Sequence, residues 1–196
     1  MDTNTHITVL FDGHPAPDHF LYDQQHKYTI INTVSGNDGL SFLNLVNYVA
    51  EQTIASDDII YILEDDYAHV QGWPDVLREG IELIKADYVT LYDHPDKYFD
   101  AVYGQLRSQI LCGPRAHWRT TPSTTNTYAS LYKTFIKDIG IHREYCDLSI
   151  GFTRDHDKFL KLWEKGSTLI SSIPAFSTHC EIPYLSPLID WSNHII

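Results

Sequence analysis

Asp58-Ile59-Ile60-Tyr61-Ile62-Leu63 runs without a break into Glu64-Asp65-Asp66. A short apolar run rich in β-branched residues spells a buried strand. The three acids therefore stand at a strand's carboxyl end. Beyond them, Pro74–Ile84 predicts a helix with Pro74 in its first turn, where a missing N–H is tolerated, and Asp87–Leu91 (DYVTL) predicts the next strand. Upstream, Ile7–Phe11 and Tyr28–Ile31 read as buried strands. A turn built on Ser35, Gly36, Asn37 and Asp38 then leads into a helix over Leu40–Glu51, with Leu40, Leu43, Val46 and Val49 along one face. This alternation predicts an α/β fold with an open, mostly parallel sheet flanked by helices. Ligands of such sheets bind outside the carboxyl ends of the strands. The second half is less regular: Gln109–Cys112 and Thr127–Leu131 predict strands, and Lys158–Lys165 predicts a helix, giving a smaller region of mixed strands.

The chain has 196 residues and no internal repeat or Pro/Gly/Ser linker, so a single domain over 1–196 is expected. Its formal net charge of −12 opposes the phosphate-neutralising surface that nucleic-acid binding requires. Cys112, Cys146 and Cys180 lack zinc-site or CxxC spacing and read as reduced thiols. No apolar stretch reaches the roughly 18–20 residues of a transmembrane span. The polar start from Met1 to His6 holds no secretory core, and a cytoplasmic location is expected.

Three adjacent carboxylates repel one another unless a cation or strong donors compensate them. Strand alternation points Glu64 and Asp66 to one side and Asp65 to the other, so one cation could meet two of the three. Oxygen ligands without nearby Cys or closely spaced His favour Mn²⁺ or Mg²⁺. The plainer alternative is a solvated acidic turn.

ILEDDY, with GWPDVL behind it, resembles the DXD-type motif of GT-A fold nucleotide-sugar glycosyltransferases, and its EDD spelling is similar to that of family-2-like enzymes. The resemblance implies a Rossmann-like GT-A sheet, with Asp66 as the metal ligand and Glu64 and Asp65 near the donor, Glu64 also within reach of the metal. IPAFSTHCE resembles the family's late histidine region, which makes His179 the residue completing the metal site. EYCDLSIGF resembles the segment carrying the catalytic base and offers Asp147, with Cys146 where many relatives have Glu. Glu144 and Asp155 compete for that role, and a structural turn is the other reading of Asp147. Asp12 in FDG resembles the base-recognising position of the donor strand. Asn37 and Asp38 resemble a nucleotide-lining loop, and are equally ordinary turn residues. The family's first strand with a PTYN-like motif is not evident.

RTTPSTTNTYASLY gathers hydroxyls and aromatics after Trp118, a composition suited to sugars. By analogy with GT-A folds, Trp118, Ser123 and Thr124 become acceptor-side candidates. The resemblance thus implies a metal-dependent transferase that moves a sugar from a nucleotide-diphosphate sugar, a UDP-sugar foremost, to a glycan or glycolipid hydroxyl, with inversion by direct displacement. Three other classes remain open. A catalytically incomplete nucleotide-sugar-binding domain would keep the same acids. A sugar nucleotidyltransferase would carry a glycine-rich basic loop, and a metal-independent hydrolase would need no cation; the chain has no GxxxxGK[ST], GxSxG or HExxH.

Overall fold

The computed structural model describes residues 5–23 and 27–194. In chain order these form β1 (Thr8–Asp12), α1 (Phe20–Asp23), β2 (Thr29–Thr33), α2 (Asp38–Glu51), β3 (Ile59–Ile62), β4 (Tyr67–His69), α3 (Trp73–Arg78), β5 (Tyr88–Thr90), α4 (Asp96–Phe99), β6 (Ile110–Cys112), β7 (His117–Thr120), β8 (Tyr128–Leu131), α5 (Tyr132–Lys137), α6 (Ile139–Glu144), β9 (Cys146–Asp147), β10 (Phe152–Thr153), α7 (Asp155–Glu164), β11 (Leu169–Ile173) and β12 (Ser177–His179). They group into two compact units: the residues up to Thr53 with His142–Arg154, and Ile54–Ile141 with those from Asp155 onward. No helix among the described residues is long and apolar enough to cross a membrane.

In the first unit, β1 and β2 pair in parallel, from Thr8 opposite Thr29 to Asp12 opposite Thr33. Asn37 caps α2 by accepting the Leu40 N–H at 2.9 Å. Gly39 lets the first turn of α2 approach the β9–β10 hairpin, because a Cβ there would stand 3.2 Å from the backbone of Gly151 and Phe152.

The second unit is built on a six-stranded sheet of order β3-β8-β5-β11-β7-β6. Only β5 and β11 pair in parallel; the other four pairings are antiparallel. Mixed α/β structure is as expected, but the parallel order is not, because β8 inserts antiparallel between β3 and β5. Those two strands still point the same way, and β11 points with them. Their carboxyl ends therefore share one edge of the sheet, and the loop entering β8 reaches the same edge.

The core of this unit packs Val76, Leu77 and Ile81 against Val89, Leu91, Ala116, Trp118, Ala129 and Ile170. The predicted helix over Pro74–Ile84 is found as α3 followed by a π-helical segment, Glu79–Leu83. The turn widens where the buried Glu79 accepts hydrogen bonds from Trp118 Nε1 at 3.0 Å and from the Arg115 N–H at 3.0 Å.

Candidate functional site

The acids lie between β3 and β4, and β4 pairs antiparallel with β12 so that His179 stands opposite Tyr67. The pairing continues one step, with the Cys180 N–H donating to the Asp66 carbonyl at 2.8 Å. That register brings His179 Nε2 to 3.0 Å from Asp66 Oδ2, across 113 residues of sequence that no spacing rule spans. His179 Nδ1 accepts the Glu181 N–H at 3.2 Å. With that lone pair occupied, the ring proton belongs on Nε2, which donates to Asp66.

The other carboxyl oxygen, Asp66 Oδ1, is buried without a hydrogen-bond partner. A buried acceptor left unmatched is costly, and a water, an ion or a donor group of a ligand would satisfy it. Glu64 turns toward the loop entering β8: Thr127 Oγ1 donates to its Oε2 at 3.1 Å and accepts its N–H at 3.2 Å. Burial, reinforced by the charges of Asp66 and Asp155 and opposed by Thr127 and Lys158, pushes the Glu64 carboxyl up to about 7. Asp65 is exposed.

Among the described residues, no three His, Cys, Asp or Glu side chains converge to hold a cation by themselves. Mg²⁺ and Mn²⁺ at phosphate-binding sites are commonly held by one or two carboxylates, with waters and substrate oxygens completing the shell. Asp66, with its orphaned oxygen, fits that pattern. For His179 to share the ion, its proton must move to Nδ1 and the Glu181 N–H must turn away, since a ligating imidazole donates through its other nitrogen.

The remaining candidates occupy varied settings. Asp12 accepts the N–H groups of Ser35 and Gly36 at 2.7 and 3.1 Å, closing the turn after β2. Asn37 is spent as the α2 cap, and Asp38 accepts the Thr153 N–H at 2.9 Å. Asp147 is partly exposed and lies in the first unit, as do Asp12, Asn37 and Asp38. Its Oδ1 accepts from Ser149 Oγ at 2.6 Å and from the Ser149 N–H, and Arg154 lies 3.5 Å from Oδ2. The Ser149 hydrogen bonds, aided by Arg154, hold its carboxyl below the usual range. That is the geometry of a structural turn, and it weakens a base. Of its two competitors, Glu144 ends α6 in the first unit and Asp155 opens α7 in the second.

Trp118 was expected to offer a face to the acceptor. It is fully buried in the core, with its N–H on Glu79, so no sugar can stack on it. Ser123 and Thr124 are also buried. Thr124 Oγ1 donates to Thr90 Oγ1 at 3.3 Å, and Ser123 belongs to a polar cluster absent from the sequence-based expectations.

That cluster follows β5 in the segment YDHPDKY, Tyr92–Tyr98. His94 Nδ1 lies 2.9 Å from Asp96 Oδ1, and Lys97 Nζ donates to both Asp96 oxygens at 2.9 Å. Lys97 also reaches Ser123 Oγ at 3.3 Å and sits 4.1 Å from the centre of the Tyr103 ring. Ser123 in turn lies 3.0 Å from His156 Nδ1. Beside them the buried Asp93 pairs with Arg119 and accepts from Tyr98. The carboxyl-end rule that singles out the acids after β3 applies equally here and could have found this segment.

A shallow hollow lined by Ile54, Ser56, Tyr132, Lys133, Ile136 and Lys137 lies at the opposite end of β3, where Ile59 faces Leu131. It is remote from the acids. No protein-family model matches this chain, and no curated protein matches it either.

Proposed function

We propose that this chain is a metal-dependent glycosyltransferase of GT-A type that transfers a sugar from a nucleotide-diphosphate sugar, foremost a UDP-sugar, to a glycan or glycolipid hydroxyl. The observation that supports it most is the Asp66 carboxyl at the carboxyl end of β3, with one oxygen on His179 and the other buried and unmatched. When bound, Mn²⁺ or Mg²⁺ would neutralise the donor diphosphate and the charge that develops on it as it leaves. Asp66 would hold that ion, Glu64 would stand beside it, and His179 would orient Asp66 or join it as a ligand. Free thiols at Cys112, Cys146 and Cys180 suit a reducing, cytoplasmic setting.

The test is thermal stability with a panel of nucleoside diphosphates and nucleotide sugars, with and without Mn²⁺. Ligand at a hundred times its Kd stabilises the fold by about 2.7 kcal/mol. Such a shift with one nucleotide class, dependent on Mn²⁺ and absent in Asp66→Ala, supports the assignment; no shift with any of them rejects it. The weakly basic setting of Asp147 favours, as a second reading, a nucleotide-sugar-binding domain without turnover. Metal-dependent release of UDP from a UDP-sugar separates the two.

A further inference from the structure

Direct displacement needs a group that takes the proton from the attacking hydroxyl, and Asp147 is poorly placed to be it. Its carboxyl is engaged by Ser149 and Arg154, and every one of those contacts lowers its basicity. Among the described residues of the second unit, His179 pairs with Asp66 and His94 with Asp96, and the two differ in which nitrogen is open. In His179, Nδ1 accepts a backbone N–H and Nε2 donates to Asp66, so neither lone pair is available.

In His94, Nδ1 has two neighbours: Asp96 Oδ1 at 2.9 Å and the Asp96 N–H at 3.1 Å. They favour opposite tautomers. An N–H donating to a carboxylate is roughly twice as strong as a neutral pair, and here it is also the shorter contact. The proton therefore resides on Nδ1, and Nε2 carries a free lone pair. No partner for Nε2 is found among the described residues, and the side chain is 23% exposed, so a solute can reach it.

Asp96 is held for this task. Burial alone would raise its carboxyl, but the hydrogen bonds from His94 and Lys97 keep it below the ordinary range. The Lys97 side chain is only 2% exposed, fixed on Asp96 and Ser123 and set over Tyr103. A surface ion pair would not be built this way.

The dyad also stands close to Asp66. Tyr184 is in ring contact with both histidines, 5.4 Å from His179 and 6.2 Å from His94. Tyr92 contacts His94 on one side and Tyr67 on the other. The two imidazoles are thus one aromatic ring apart, at the edge where β3 and β5 both end.

We propose that His94, oriented by Asp96 and Lys97, is the general base of the transfer reaction proposed above, on which this inference rests. His94 Nε2 takes the proton of the acceptor hydroxyl as that oxygen forms a bond to the anomeric carbon. The bond from that carbon to the diphosphate oxygen breaks, and the nucleoside diphosphate leaves with the electron pair. The proton stays on His94 as imidazolium, stabilised by Asp96, until water removes it. Asp96 and Lys97 are positioning residues.

The test uses UDP-glucose and UDP-N-acetylglucosamine with Mn²⁺, water serving as acceptor and UDP release as the readout. His94→Gly should lower kcat by roughly 10²–10⁴-fold, the usual range for general base catalysis, with donor affinity unchanged within about twofold. Added imidazole should restore a large part of the rate, which a merely structural histidine would not allow. Asp96→Asn should lower kcat less and leave donor affinity intact. Independently of turnover, nitrogen-15 NMR of the wild type should find the His94 proton on Nδ1. A His94→Gly enzyme with the wild-type rate, a loss that imidazole does not reverse, or a proton on Nε2 overturns the proposal while leaving glycosyl transfer standing. Failure of the wild type to bind either donor with Mn²⁺ brings down both.

Discussion

Thr127 grips Glu64 at two points, accepting its N–H at 3.2 Å and donating to its Oε2 at 3.1 Å. One hydroxyl thereby ties the acidic loop after β3 to the loop entering β8. Thr127→Val keeps the shape and removes both bonds, leaving a half-buried carboxyl without its donor. We expect a loss of about 1–3 kcal/mol in urea unfolding and a Glu64 carboxyl that titrates still higher by NMR. An unchanged Glu64 titration would show that Thr127 does not restrain it.

Glu64 gives the protein a distinctive pH response. Its carboxyl rises from near 4.5 to about 7 on folding, chiefly through burial, so between those values the native state holds a proton that the unfolded chain has lost. Glu64 therefore contributes stability that is complete below about pH 4.5 and is lost as pH rises to about 7. The span is on the order of 3 kcal/mol. In chelator, Glu64→Gln should be flatter across this window and more stable than wild type at pH 8. If Asp66 holds Mn²⁺ as proposed, the ion should favour the charged carboxylate and flatten the wild type as well. Equal slopes in wild type and Glu64→Gln would refute the assignment.

His69 acts in the opposite sense. Burial between Tyr61 and Trp73 lowers its imidazole from near 6.5 to about 4. The native state resists the proton that the unfolded chain accepts, so the His69 contribution is intact above about pH 6.5 and lost as pH falls toward 4. Over pH 4.5–6.5 the two effects oppose one another, and the wild-type profile alone cannot separate them. His69→Gln should lose the acid-side decline, on the order of 2–3 kcal/mol, while retaining the Glu64 decline toward pH 7.

Much of this arrangement was legible from local pattern. β3 and the acids behind it follow from one apolar run and its abrupt end, and α2 follows from the turn at Ser35, Gly36, Asn37 and Asp38 and the apolar face after it. The contact between Asp66 and His179 came from resemblance alone, because it depends on β4 pairing with β12, two three-residue strands too short to show any period. Trp118 was misjudged for a related reason. Beside a polar segment it suggested a sugar platform, and nothing local revealed that Glu79, on a helix 39 residues away, would accept its N–H inside the core. The antiparallel β8 was recognised as a strand, but strand direction is a property of pairing. The His94–Asp96–Lys97 segment shows neither a period nor a motif in the sequence.

The buried Glu79 gives a sharp test of the core. A Cβ at Gly113 would lie 1.9 Å from Glu79 Oε1 and 2.9 Å from the Ala116 carbonyl. Gly113→Ala must therefore displace the carboxyl group, and Trp118 Nε1 and the N–H groups of Arg115 and Ala116 lose their common acceptor. Each stranded donor costs about 1–3 kcal/mol, so the total should exceed about 3 kcal/mol. Gly80→Ala also crowds the core, 2.9 Å from Val89 Cγ2 and 3.0 Å from Trp118, but it strands no donor. Overpacking there should cost about 1–3 kcal/mol. The double mutant separates the two mechanisms. With Glu79→Ala in place, the two atoms nearest a Gly113 Cβ are gone and the added cost of Gly113→Ala should fall sharply, whereas Gly80→Ala should cost much the same in either background. Additive losses for Gly113→Ala and Glu79→Ala in urea unfolding would mean that the carboxyl does not occupy the space beside Gly113.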